Sequence, residues 1–162
     1  MAGGTPAIVA LDAARVVYSV HEFDNEIAPG ELGYGKAAAA ALGVEEARVF
    51  KTLLVTLHGS STPHAVGIVP VSTQLSLKGI AHALDAKKAE MLDRRDAERL
   101  TGYVVGGISP FGQRKRLPTV IDETCELADT IFVSGGRRGL DIEIEPSVLI
   151  ALLNAVVAPI GA

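Results

Sequence analysis

Apolar positions recur along this chain at two periods, and the changes of period mark out its elements. Ile8, Leu11 and Ala14 follow Thr5-Pro6, a capping residue and a helix-starting proline, and predict a first helix to about Arg15. Val16 to Phe23 alternates as a strand, and Asp24 to Gly33 reads as a polar loop. Lys36 to Leu42 predicts an alanine-rich helix stopped by Gly43. Val49 to Leu57 and His64 to Val71 predict two strands, and the turn-forming residues 58–63 join them as an antiparallel hairpin. Ser76 caps a helix in which Leu77, Ile80, Ala81 and Leu84 recur at helical spacing, and Asp93 to Leu100 predicts another, closed by Gly102. Strands are expected at Tyr103 to Val105, Pro118 to Asp122, Thr130 to Ser134 and Asp141 to Ile144, before a last helix from Pro146 to about Val156. Strands clustered in the middle with helices around them indicate α+β, with a mixed, mostly antiparallel sheet. Without a repeat or long linker, residues 1–162 read as one domain.

Composition narrows what such a domain does. With 48% hydrophobic and 21% charged residues the chain is globular, and its apolar runs are too short for a membrane span. No basic start followed by an apolar stretch marks a signal peptide, so a cytoplasmic location is expected. One cysteine, Cys125, excludes an intrachain disulfide. The net charge of −4, the absence of Trp and the total of three Tyr and four Phe argue against tight independent binding of nucleic acid, DNA included.

Three features could carry chemistry. Lys51 falls on a strand face shared with Val49, Leu53, Val55 and Leu57, where an ammonium must reach water, find a carboxylate or line a pocket. Gly106-Gly107, in Gly106-Gly-Ile-Ser109-Pro-Phe-Gly112, allows backbone amides to approach a ligand; a plain turn reads equally well. Ser134-Gly135-Gly-Arg137-Arg138-Gly-Leu-Asp141 is either an anion-binding loop or a hairpin loop with solvated arginines, to which Arg114-Lys-Arg116 could add positive charge. Gly33-Tyr-Gly35-Lys-Ala-Ala38 fits a dinucleotide fingerprint loosely but follows no convincing strand. No metal-ligand spacing, P-loop or nucleophile elbow is present, so neither metal nor cofactor is expected, and Cys125 reads as an unreactive thiol.

The blocks Phe50-Lys51-Thr52-Leu-Leu-Val55, Thr101-Gly-Tyr-Val-Val-Gly106-Gly107-Ile-Ser109-Pro110, Gly112-Gln-Arg-Lys-Arg-Leu-Pro118 and Val133-Ser134-Gly135-Gly-Arg-Arg-Gly-Leu-Asp141, in this order, resemble the YbaK/EbsC family of Cys-tRNA(Pro) deacylases. That resemblance implies a barrel-like mixed sheet with flanking helices, related to the editing domain of prolyl-tRNA synthetase. It implies a trans-editing enzyme that clears mischarged tRNA, chiefly cysteine on proline tRNA, with prolyl-tRNA synthetase as partner. The family's key lysine falls on Lys51, its glycine loop on Gly106 and Gly107, and its serine and aspartate on Ser134 and Asp141. Thr52, Ser109 and Gly135 belong to the same blocks and join the substrate-binding set. A pocket tyrosine of YbaK falls on Phe23, which lacks the hydroxyl. In the family the substrate's own thiol attacks its ester carbonyl, which suits a chain without an evident nucleophile. The alternative is a non-catalytic module that binds an amino acid or nucleotide, or docks on a synthetase.

Overall fold

The computed structural model describes residues 4–24 and 33–162. Of the polar loop expected over 24–33, residues 25–32 lie outside that range, and Gly33 already opens a helix.

Helix α1 (Pro6–Ala14) starts where Thr5 accepts a hydrogen bond from the Ile8 amide, and buries Ala7, Ile8 and Leu11. Strand β1 (Ser19–Glu22) is shorter than its alternation suggests. Helix α2 (Gly33–Leu42) begins three residues earlier than predicted. The hairpin forms as expected from β2 (Phe50–His58) and β3 (His64–Pro70), with Lys51 opposite Val69 and Leu53 opposite Gly67. Helix α3 (Leu77–Ala83) is capped by Ser76, and α4 (Arg94–Thr101) runs from the Asp93 cap to Gly102 in the left-handed conformation. Between them lies β4 (Lys88–Met91), a short and mostly exposed strand whose sequence carries no alternation.

Residues 103–105 are not a strand. The Val105 amide donates to the Glu98 carboxylate, the Tyr103 hydroxyl donates to the Phe111 carbonyl, and the Gly107 amide closes a turn on Val104. With the Thr101 hydroxyl accepting from the Tyr103 amide and Arg138 donating to the Val105 carbonyl, side chains thus satisfy backbone groups that a neighbouring strand would otherwise take. Strands β5 (Thr119–Asp122), β6 (Ile131–Arg137) and β7 (Leu140–Ile144) follow. Helix α5 (Pro146–Leu153) ends sooner than expected, at Asn154 in the left-handed region, and the chain continues as β8 (Val156–Ala158).

The strands make two sheets, ordered β1-β7-β6 and β4-β2-β3-β5-β8. The β3–β5 and β5–β8 pairs are parallel and the other four are antiparallel, so the class is α+β with a mixed, mostly antiparallel sheet. The main core lies between the sheets: Phe50 and Leu54 from one meet Ile131, Val133, Ile142 and Ile144 from the other, with α1 and Leu149 of α5. The opposite face of β2, through Val55 and Leu57, packs with Ile80 and Ala81 of α3. A parallel bridge between Val49 and Phe132 joins the sheets at one corner.

That corner positions the site. One edge of β2 pairs with β3 along residues 50–56. The other edge pairs with β4 only at residues 55–58, and Val49, just before β2, bridges to Phe132 of β6. Among the described residues, 50–53 therefore have no strand partner on that side, and a cavity opens there.

Candidate active site

The cavity has a volume of about 410 Å³ and an apolar wall that includes Ala37 and Ala38 of α2, Leu54, Leu92 and Ile108. Such a size and lining suit a small organic group held by a few polar contacts. Lys51, Thr52, Phe23, Gly106, Ser134 and Asp141 all border it, although they come from five separate parts of the chain. Gly107, Ser109 and Gly135 do not. The Gly107 α-carbon lies against the backbone of Arg137 and Arg138. Ser109 is fully buried and its hydroxyl accepts from the Phe111 amide, while the Gly135 carbonyl accepts from the Thr5 hydroxyl at 2.6 Å. These three sit behind the wall and shape the two loops.

Three groups that border the cavity, Lys51, Asp141 and Thr52, are short of partners among the described residues. Among the described residues no carboxylate lies within salt-bridge distance of Lys51, and its pKa is lowered by burial first and then by the nearby Lys36 charge. Asp141, at 6% exposure, pairs in register with Ser134 on β6 and His21 on β1. Burial pushes its carboxyl up to about 7, and no described residue donates a hydrogen bond to it. The buried Thr52 hydroxyl is likewise without a hydrogen-bond partner among the described residues. A buried polar group left unpaired costs about 1–3 kcal/mol, so Thr52 and Asp141, with the half-buried Lys51 beside the same cavity, indicate a place built for a polar ligand. A ligand with a cation toward Asp141 and an anion or a polarised oxygen toward Lys51 would answer them.

The arginine-rich loop is a hairpin between β6 and β7, with a register shift between Ser134 and Arg137. Its arginines are engaged locally. Arg138 donates twice to the Val105 carbonyl, at 2.9 and 2.7 Å, and its guanidinium stacks 4.5 Å from the centre of the Tyr34 ring. Arg137 bonds Glu22, whereas Arg114 and Arg116 donate to the carbonyls of Arg99 and Leu152, so the two basic runs attach to different elements. Gly106, at φ +91°, lies under the Tyr34–Arg138 stack, and a Cβ there would come within 2.9 Å of both side chains. This stack is the part of the site that sequence reasoning misses. Its signal lies in Tyr34, between two glycines in a motif that fits a nucleotide fingerprint only loosely.

No His or Cys is among the described lining residues. Cys125 is fully buried elsewhere, and its thiol is pushed up to about 11, mainly by burial, with the Glu126 and Asp122 charges adding.

Residues 34–152, which contain nearly all of this wall, match the aminoacyl-tRNA editing domain. This chain belongs to the aminoacyl-tRNA editing domain family. It is 35% identical over 159 residues to EbsC of Enterococcus faecalis, a protein named as a Cys-tRNA(Pro)/Cys-tRNA(Cys) deacylase; the alignment covers 96% of this chain and 92% of that one. Among solved structures, one described as a trans-editing enzyme for prolyl-tRNA synthetase has a TM-score of 0.80 at 22% identity, over 97% of this chain and 95% of that one, which shows the editing-domain fold. A scaffold protein used for presenting linear epitopes has a TM-score of 0.82 at 26% identity, with 97% and 95% covered.

Proposed function

We propose that this editing-family protein acts as a single domain over residues 1–162, in the cytoplasm, as a trans-acting deacylase of Cys-tRNA(Pro), with prolyl-tRNA synthetase presenting the tRNA. The observation that carries the reading is the pair of charges, Lys51 and Asp141, that lack partners among the described residues and border one small apolar cavity. An aminoacyl ester has the matching pattern: an α-ammonium at one end, and an ester carbonyl followed by a phosphodiester at the other. Asp141 takes the ammonium, with Ser134 beside it. Lys51 and the Thr52 hydroxyl face the ester end, and the Gly106 turn lets backbone approach the carbonyl oxygen. Gly107, Ser109 and Gly135 support this wall from behind.

Among the described residues the wall offers no strong nucleophile, and the substrate supplies its own. The cysteinyl thiol attacks its ester carbonyl, the new S–C bond forms and the C–O bond to the ribose breaks. The thiol proton passes to the ribose oxygen, which leaves as the free hydroxyl, and cysteine departs as a cyclic thiolactone. Holding thiol and carbonyl in contact, and placing fixed positive charge where the oxyanion develops, are both effective in a site that excludes water. Phe23 gives the cavity an apolar edge where a tyrosine would offer a hydroxyl.

The test is a panel of proline tRNAs charged with cysteine, alanine or serine, incubated with the protein with and without synthetase. Cysteinyl ester should disappear fastest, and thiolactone should be trapped as product. Lys51→Ala should lower the rate by roughly 10²-fold, the scale of losing one oxyanion donor, with an unchanged circular dichroism spectrum. Ligand-induced stabilisation without turnover of any charged tRNA would overturn the reading in favour of a binding module.

A further inference from the structure

A second, smaller cleft adjoins the cavity and shares Tyr34, Gly35 and Lys51 with it. Its volume is about 230 Å³, and its remaining wall is Gly33 and Lys36 from the first turn of α2 and Val71 to Gln74 after β3. The character differs from the main cavity: two ammonium groups, the Ser72 hydroxyl and the Gln74 amide replace the aliphatic wall. Lys36 is close enough for its charge to disfavour that of Lys51, and neither has a carboxylate within salt-bridge distance among the described residues. Two half-buried like charges held together cost free energy unless an anion joins them.

Gly35 makes this arrangement possible. A Cβ at that position would overlap the Val71 side chain, so a glycine is what lets the first turn of α2 lie on the end of β3 and bring Lys36 beside Lys51. The glycine-flanked Tyr34, which the deacylase reading leaves without a role, thus divides the two spaces.

We propose that this cleft binds the phosphodiester on the 5′ side of the tRNA's terminal nucleotide, with Lys36 as its dedicated binding residue and Lys51 shared with the ester. This rests on the deacylase reading, which places the aminoacyl group in the adjoining cavity. The ester oxygen and the 5′ phosphate belong to the same ribose, so a ligand whose acyl group lies on one side of Lys51 carries its nearest anion about one sugar away. The ammonium pair of the cleft suits a single anionic group.

Two cysteinyl esters separate the contributions: one of adenosine 5′-monophosphate and one of adenosine, which lacks the phosphate. Wild type should cleave the phosphorylated ester with a KM at least about tenfold lower, in keeping with one charge-assisted contact. Lys36→Ala should raise that KM about tenfold, leave kcat within twofold, and leave the adenosine ester unaffected. Lys36→Arg should restore the wild-type KM. Lys36→Ala affecting both esters equally, or neither, while wild type still cleaves them, overturns the phosphate site alone. Wild type cleaving neither ester nor cysteinyl-tRNA overturns the deacylase reading and the site with it.

Discussion

Asp141 shows what burial does to one residue. Its carboxyl is raised from 3.8 to about 7 because the folded chain removes water and returns no hydrogen bond from the described residues. A folded-state pKa above the unfolded value means that the native protein binds the extra proton between those two pH values. The stability that this group contributes is therefore fullest below about pH 4 and declines as pH rises through 7. Asp141→Asn removes the titration. Its unfolding free energy should match wild type near pH 4 and exceed it by about 2–4 kcal/mol at pH 8, read from denaturant titrations at both pH values. The same variant should bind the charged tRNA less well at pH 7, since the carboxylate that burdens the fold is the group that answers the substrate's ammonium. Lys51 is legible as an anomaly in the sequence alone, as an ammonium on an aliphatic strand face. The burial of Asp141 is not: in sequence it is one of the acidic residues following a glycine-rich turn, and burial is set by the sheets that close around it.

At the scale of elements, local signals perform well where one residue decides a boundary. Thr5, Ser76 and Asp93 all cap as their side chains suggest, and Gly102 ends α4. Thr5 acts twice, since its hydroxyl accepts from the Ile8 amide and donates to the Gly135 carbonyl. It ties α1 to the strand that carries Ser134. Thr5→Ala should cost about 1–2 kcal/mol in thermal or urea unfolding, and Thr5→Ser should recover most of it. An unchanged midpoint for Thr5→Ala would show that water replaces both bonds. Local signals fail where pairing depends on distant chain. Tyr103 to Val105 has strand-like residues, yet the side chains of Thr101, Glu98 and Arg138 satisfy its backbone in a loop. β4 and β8 lack a hydrophobic alternation, yet β2 and β5 offer them edges to pair with.

The whole molecule is closed at its C-terminus by Asp122. This buried carboxylate at the end of β5 accepts from the Ile160 and Gly161 amides, at 2.9 and 2.7 Å, and from Thr124. Burial alone would push its pKa up, but the hydrogen bonds from Thr124 and the two amides outweigh it and hold the group below the usual carboxylate range. A depressed pKa contributes stability that is present above the unfolded value and lost as pH falls through the folded one. Asp122→Ala should therefore lose about 3 kcal/mol at pH 7 and progressively less below pH ~4, with faster amide exchange at Ile160 and Gly161. A deficit independent of pH would assign the loss to packing instead.

Caps, glycines and hydrophobic period act over a few residues and leave a local trace. The class of the fold, most element starts, the family and the oddity of Lys51 are therefore readable from the chain alone. Where β2 loses a strand partner, and so where the cavity opens, is settled by the packed molecule. The same packing sorts the glycine-loop residues into those that face the cavity and those that stand behind it. It brings Tyr34 onto Arg138 and Lys36 beside Lys51, contacts between residues 104 and 15 positions apart in the chain. A gap between two sheets is a property of pairings among distant segments, and no segment carries a mark of the partner it lacks.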